Sequence, residues 1–337
     1  MPRCKLADCP IARDGRCLEG RPNDCPNLLR DEVPKSPESH PGEASQSTQP
    51  SPSRTEQLYT GLALEIEEAR EFSRRGTAIV VALAGMIETG KTSLIARLHQ
   101  MFQEGRITDY DYAESRTLPR FEELNWKATV ESGVAVPEMD HSSLQGDNSF
   151  LHFAVQERID AANRIDLLIN DISGETFPLA VAEENVCNKL LCLRAADHLA
   201  LLIDSAALAH QKDRHDHCAK VRNFAERVLH TGQIGKQTAL HLIISRLDLL
   251  KTPHDPLGGT TAADGLEANF SDRFRPLVAS VQCWRLAARP MDGTLPSYDV
   301  INKLFAVWVQ SVHRNAARLA APSTTQAFAR DFCRFGS

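Results

Sequence analysis

Residues 85–92 read Gly-Met-Ile-Glu-Thr-Gly-Lys-Thr and lie between the run TAIVVALA at 77–84 and a helical stretch from Thr92 to Glu104. The run is almost continuously apolar rather than alternating, as expected of a strand buried on both faces of a mostly parallel sheet. The eight residues fit G-x4-G-K-[ST], where glycines let the backbone curl around an anion and turn its N–H groups inward at a helix N-terminus. The pattern predicts a phosphate-binding loop of Gly85, Glu88, Thr89 and Gly90, continued by Lys91, Thr92 and Ser93 at the helix start. Lys91 is expected to reach the β/γ-phosphates of a nucleotide, and the Thr92 hydroxyl to take one position on Mg²⁺.

Outward from this loop the same alternation repeats. Short apolar runs at 165–170, 198–203 and 239–244 read as further buried strands, with two more near Phe150 to Val155 and Val281 to Leu286. Helical patterns separate them at Glu183 to Ala196, Gln211 to Thr231, Ala262 to Ala279 and Ser297 to Leu319, and another begins near Gln57. The order predicts an α/β layer architecture.

Chemistry-bearing residues fall at the ends of these strands. The run 165–170 leads into Asp171-Ile-Ser-Gly174-Glu175, where Asp171 is placed to hold Mg²⁺ and the Gly174 N–H to bond a γ-phosphate. The run 239–244 ends in Ser245-Arg246-Leu247-Asp248. A carboxylate there accepts two hydrogen bonds from the N1–H and N2–H₂ edge of guanine, which adenine does not offer. Arg246 is expected to lay its planar cation and aliphatic stem across the purine face, and Leu286-Ala287-Ala288-Arg289 resembles the S-A-K element of GTPases, which implies that the Ala288 N–H meets the guanine O6.

The order GMIETGKT, DISG, SRLD and AAR resembles the translation-factor-related and Ras-like branch of P-loop GTPases over about residues 75–315. Arg246 and Ser245 depart from the [NT]-K-x-D pattern of that branch. The Cys-rich head, the phrase SRTLPRFEELN and the switch DISGE are more particularly similar to the double-GTPase and TRAFAC-clade GTPase domains of bacteria. The resemblance implies a P-loop NTPase three-layer sandwich with a mostly parallel sheet, a Ras-like G domain. It also implies GTP/GDP as ligand, hydrolysis to GDP and phosphate, and protein partners in a multi-component bacterial system, one of defence among them.

Such a switch needs a hydroxyl from the segment after the first helix to close over Mg²⁺ and the γ-phosphate. Thr108, Ser115 and Thr117 are the candidates, and Thr117, read as mid-loop, is chosen. Residues 133–149 extend this region, a length suited to meeting a partner. Glu175 stands where Ras-like enzymes place the water-orienting Gln; a carboxylate there accepts a proton but also repels the γ-phosphate. The catalytic set is thus Lys91, Thr117, Gly174 and Glu175. Three readings stay open: a hydrolysing switch, a GTP-bound scaffold without turnover, and an ATP-using enzyme in which Ser245 to Asp248 is accidental.

The rest of the 337 residues bounds these readings. With 42% hydrophobic and 24% charged residues the chain can bury a core, and at roughly 150 residues per domain its length fits one large domain or two ordinary ones. Its net charge of −6 argues against direct nucleic-acid binding, which needs a cationic field. The longest apolar run, Ala78 to Ile87, is about half of what spans a bilayer. MPRCKLADCP lacks the apolar core of a secretory leader, so a reducing cytoplasm is expected. Cys4, Cys9, Cys17 and Cys25 fall in a head too poor in apolar residues to fold on burial, and one structural Zn²⁺ held by four thiolates would replace the missing core. Free thiols in a tail are the alternative. The expected division is a Cys-rich module over 1–28, a Ser/Pro-rich linker over 29–56, the GTPase domain over 57–316 and a C-terminal tail over 317–337.

Overall fold

The computed structural model describes residues 3–4, 28–29, 61–75, 78–127, 147–160, 162–251, 255, 257–291 and 293–319. The chain divides into two units, Met1–Glu56 and Gln57–Ser337. In the first, strand β1 (Arg3–Cys4) pairs antiparallel with β2 (Leu28–Leu29). Cys9, Cys17 and Cys25, residues 30–56 of the expected linker and residues 320–337 of the expected tail lie outside the described residues.

The second unit is built on a seven-stranded sheet. In chain order its strands are β3 (Ala78–Gly85), β4 (Tyr110–Glu114), β5 (Leu151–Glu157), β6 (Arg164–Asp171), β7 (His198–Asp204), β8 (Ala239–Ser245) and β9 (Ser280–Arg285). In space they run β4-β5-β6-β3-β7-β8-β9. The five strands from β6 to β9 are mutually parallel, while β5 lies antiparallel to both β6 and β4. The continuous apolar run in β3 follows from this burial on both faces. Ile79, Val81 and Leu83 point into one core layer, Val80, Ala82 and Ala84 into the other.

Helices α1 (Ile66–Arg75), α2 (Lys91–Gln103), α3 (Leu118–Lys127), α4 (Thr176–Ala182), α5 (Glu184–Asn188), α6 (Leu191–Ala195), α7 (Ser205–Ala209), α8 (Arg214–His230), α9 (Gly258–Phe274) and α10 (Tyr298–Leu319) cover the two faces. Leu94, Leu98, Phe121, Phe305 and Trp308 bring α2, α3 and α10 onto one layer; Phe177, Phe224 and Phe270 bring α4, α8 and α9 onto the other. The three-layer α/β sandwich expected from the sequence is the architecture found.

Three expectations change. The first helix starts at Ile66 rather than near Gln57, because Leu64 exchanges both backbone hydrogen bonds with Phe150 at 2.8 Å. The single helix expected over Glu183 to Ala196 is two short ones, broken at Leu190, whose ψ of 73° is not helical. The stretch from Gly105 to Asn125, in which Thr117 is expected mid-loop, carries the edge strand β4 and most of α3.

At the end of the sheet away from the phosphate loop, buried polar groups form a chain with one consistent proton assignment. Trp284 Nε1–H donates to His241 Nδ1 (3.1 Å), so His241 carries its proton on Nε2, facing His198 Nδ1 (2.9 Å). His198 Nε2–H then donates to the Trp308 carbonyl at 3.1 Å, which ties α10 to three strands. A proton added to either ring would put two donors face to face. Burial holds the His198 imidazole down at about 4, and His241 is lowered by burial and by His198.

Unfolded histidine takes up its proton near pH 6.5, so between that value and the folded one the unfolded chain binds more protons. The stabilisation is complete above pH 6.5 and is lost as pH falls, by about 2 kcal/mol at pH 5 for one histidine lowered this far. Melting temperatures are expected to drop by about 4–8 °C between pH 7 and 5. A flat profile across that window would show that neither ring is held neutral.

Candidate functional site

The C-terminal ends of β3, β6, β7 and β8 converge on one edge. Gly85 opens the loop between β3 and α2, and an added Cβ would lie 2.7 Å from the Leu202 carbonyl oxygen and 2.8 Å from Thr89 Oγ1. No larger residue fits there. Glu88 (φ 63°) and Gly90 (φ 80°) are left-handed, and such inversions turn successive N–H groups into a concave anion nest. Helix α2 starts with no side-chain cap and no acidic residue in its first turn, so the amides of Lys91, Thr92 and Ser93 are open to an anion. Lys91 is 7% exposed, and its Nζ donates to the carbonyls of Gly85 (3.0 Å) and Met86 (3.2 Å). Burial lowers its pKa, while Asp171 and Asp147 oppose that shift.

Thr92 Oγ1 donates to Asp171 Oδ2 at 2.7 Å. The other oxygen, Asp171 Oδ1, is buried without a partner. Burial pushes this carboxyl up, and Lys91, Thr92 and Arg120 pull it down. A hard oxygen donor left unpaired beside a hydroxyl fits a divalent cation, whose ligands are of this kind. Gly174 presses on the phosphate loop, where an added Cβ would meet Ile87 N at 2.6 Å. Glu175 is exposed, and its N–H donates to Ser173 Oγ at 3.2 Å.

The second loop is joined to the first. Ser245 Oγ donates to the Ile203 carbonyl (3.1 Å), and Ser205 Oγ to the Ser245 carbonyl (2.6 Å), which fixes the end of β8 against β7. Among the described residues the non-glycine positions with positive φ are Glu88 and Arg246, and they touch: Arg246 Nη1 donates to the Glu88 carbonyl at 3.4 Å. Left-handed backbone costs about 1–2 kcal/mol per such residue, and strain of this kind gathers at functional sites. Arg246 also pairs with Asp204 at 2.9 Å. Its guanidinium, expected on the purine face, is thus tied to the phosphate loop and the end of β7. Asp248 Oδ2 accepts the Met291 N–H at 2.9 Å, and Asp248 Oδ1 is buried without a partner. The Ala288 carbonyl accepts Arg97 Nε at 2.8 Å.

The candidates for the closing hydroxyl stand elsewhere. Thr117 is not mid-loop but fully buried at the start of α3, where its hydroxyl accepts the His152 N–H (2.9 Å) and donates to the His152 carbonyl (3.2 Å). Ser115 Oγ also donates to that carbonyl. The reason is topological. Strand β5 is antiparallel to β6 with Leu151 opposite Ile169, so the chain just before residue 151 enters the site. Asp147, absent from the candidates above, arrives there and accepts the Ser173 N–H (2.9 Å) and the Thr176 hydroxyl (2.7 Å). Its place directly ahead of the strand near Phe150 was the one signal that could have marked it.

A strained phosphate loop, an acidic strand end followed by Gly174, and an acidic loop beyond β8, all on one edge of a mostly parallel sheet, define a P-loop GTPase-type domain. Residues 79–309 match the family model described as Double-GTPase 2, and the chain belongs to that family. Among solved structures, the GTP-bound GTPase-like domain of S. cerevisiae Ski7 is similar at 12% identity and a TM-score of 0.38, over 76% of this chain and 53% of that one. The chain therefore spans about half the length of that protein chain. No curated protein matches the sequence.

Proposed function

We propose that the chain binds GTP with Mg²⁺ on this edge, hydrolyses it to GDP and phosphate, and changes its loops with the nucleotide to signal to protein partners. The observation that carries the reading is Asp248 Oδ1, a buried carboxylate oxygen without a partner, on a loop that Arg246 fastens to the phosphate loop. An unsatisfied buried acceptor is costly in the free protein, and the N1–H and N2–H₂ edge of guanine carries the donor that completes it. In this reading Gly85 to Ser93 cradle the phosphates, Lys91 neutralises the β/γ oxygens, and the Gly174 N–H meets the γ-phosphate. Ser245 and Ala288 shape the base pocket. Thr92 and Asp171 would hold Mg²⁺, which when bound draws charge from the β/γ bridge.

Glu175 is placed to orient water only if its exposed side chain swings inward, so slow hydrolysis is expected. Direct competition should favour GTP over ATP, and single-turnover phosphate release from GTP should require Mg²⁺ and change in rate in Glu175→Gln. Preference for ATP sinks the guanine assignment; absence of phosphate release leaves the scaffold reading. Phosphate release unchanged in Glu175→Gln removes that residue from water positioning.

A further inference from the structure

We propose that Asp147 is a positioning residue that holds the loop from Ile172 to Thr176 ready for a γ-phosphate, and so sets the preference for a nucleoside triphosphate over a diphosphate. This rests on the GTP-binding reading above and assigns a role to a residue outside the motifs. Its two carboxylate oxygens take the Ser173 N–H and the Thr176 hydroxyl, one on each side of Gly174. The third side is closed by Ile87, whose backbone leaves no room for even a methyl group on Gly174. The one amide expected to reach a third phosphate is thus fixed from both flanks and from below.

Asp147 is itself anchored. Its carbonyl accepts Asn170 Nδ2 at 2.8 Å and the Cys192 thiol at 3.5 Å. The next residue, Asn148, accepts the Cys192 N–H (3.2 Å) and donates to the Lys189 carbonyl (3.0 Å). Asn170 Nδ2 also reaches the Ser149 carbonyl at 2.8 Å. The clamp therefore transmits the position of β6 and α6 to the Gly174 loop. Asp147 acts electrostatically on both Lys91 and Asp171, so it stands where a polyanion is to be gripped, a place unfavourable for a carboxylate unless its hydrogen bonds are used. A diphosphate is served by the phosphate loop alone and does not draw on the clamp.

The test compares Mg·GMPPNP and Mg·GDP affinities by calorimetry. The ratio should fall at least about tenfold in Asp147→Ala, the loss expected for charge-assisted hydrogen bonds. Thr176→Val should give a smaller fall and guards against misfolding of the first variant. Asp147→Asn should keep the ratio within about threefold, since its amide oxygen still accepts the Ser173 N–H and its amide N–H meets the Thr176 hydroxyl. A wild-type ratio in Asp147→Ala overturns the proposal, and so does an equal fall in Asp147→Asn, which would make charge and not position the cause. If the wild type binds neither nucleotide, the GTP reading fails. Amide exchange over residues 172–180 of the nucleotide-free protein then decides the clamp: faster exchange in Asp147→Ala but not in Asp147→Asn supports it, and unchanged exchange overturns it.

Discussion

Lys91→Ala is expected to lower the affinity for Mg·GTP and Mg·GDP alike by at least about 100-fold, while the protein stays folded. The ammonium is buried on the carbonyls of Gly85 and Met86, inside the curl of the loop. Two carboxylates, Asp171 and Asp147, lie within electrostatic reach of it. Without Lys91 the edge keeps its two acids and loses its compensating cation, so a triphosphate meets net repulsion. The fold should tolerate the change, because the variant also removes a buried charge whose desolvation is already unfavourable. Lys91→Arg should fail as well, since a planar fork does not fit a hole shaped for one ammonium between two carbonyls. Calorimetric titration beside a thermal melt separates the two effects. Binding within threefold of wild type in Lys91→Ala would show that the phosphates are not held in this loop.

The parts of this site legible in the sequence are those where one chain segment contains all the geometry. Gly85, Gly90 and Lys91 define a curl within eight residues, and the buried run before them announces a strand covered on both faces. Asp171 and Asp248 were legible for the same reason, each standing at the end of an apolar run. What depended on pairing was not. Strand β4 reads Tyr110-Asp111-Tyr112-Ala113-Glu114, with Tyr110 buried and Asp111 exposed, so a half-covered edge strand looked like a polar loop. The first segment after α2 offers Thr117 as the switch hydroxyl by position alone. Nothing local reveals that β5 turns antiparallel, and that turn delivers Asp147 to the site while leaving Thr117 to pin His152. The sequence places Arg246 on the loop after β8, yet its bond to the Glu88 carbonyl joins residues far apart in sequence.

Asp248→Asn is expected to reverse the base preference, with GTP affinity falling about 100-fold and XTP affinity rising above it. The structure fixes which way the new amide will face. Asp248 Oδ2 already accepts the Met291 N–H, so the asparagine oxygen takes that side and its NH₂ group replaces the unpartnered Oδ1. A donor then confronts the N2–H₂ of guanine, and two donors repel. Xanthine carries a carbonyl at the same ring position, which accepts that donor while its N1–H still finds the asparagine oxygen. Asp248→Ala, with neither donor nor acceptor, should lose GTP without gaining XTP. Stability should move the other way. An orphaned buried carboxylate oxygen weakens the free fold by about 1–3 kcal/mol, so Asp248→Asn, whose oxygen still accepts the Met291 N–H, should melt no lower than wild type without nucleotide. A residue kept at the expense of stability and required for one base would be a reader of that base. If Asp248→Asn still prefers GTP as the wild type does, or if it melts well below wild type, Asp248 is a structural cap for the Met291 loop and the guanine assignment loses its support.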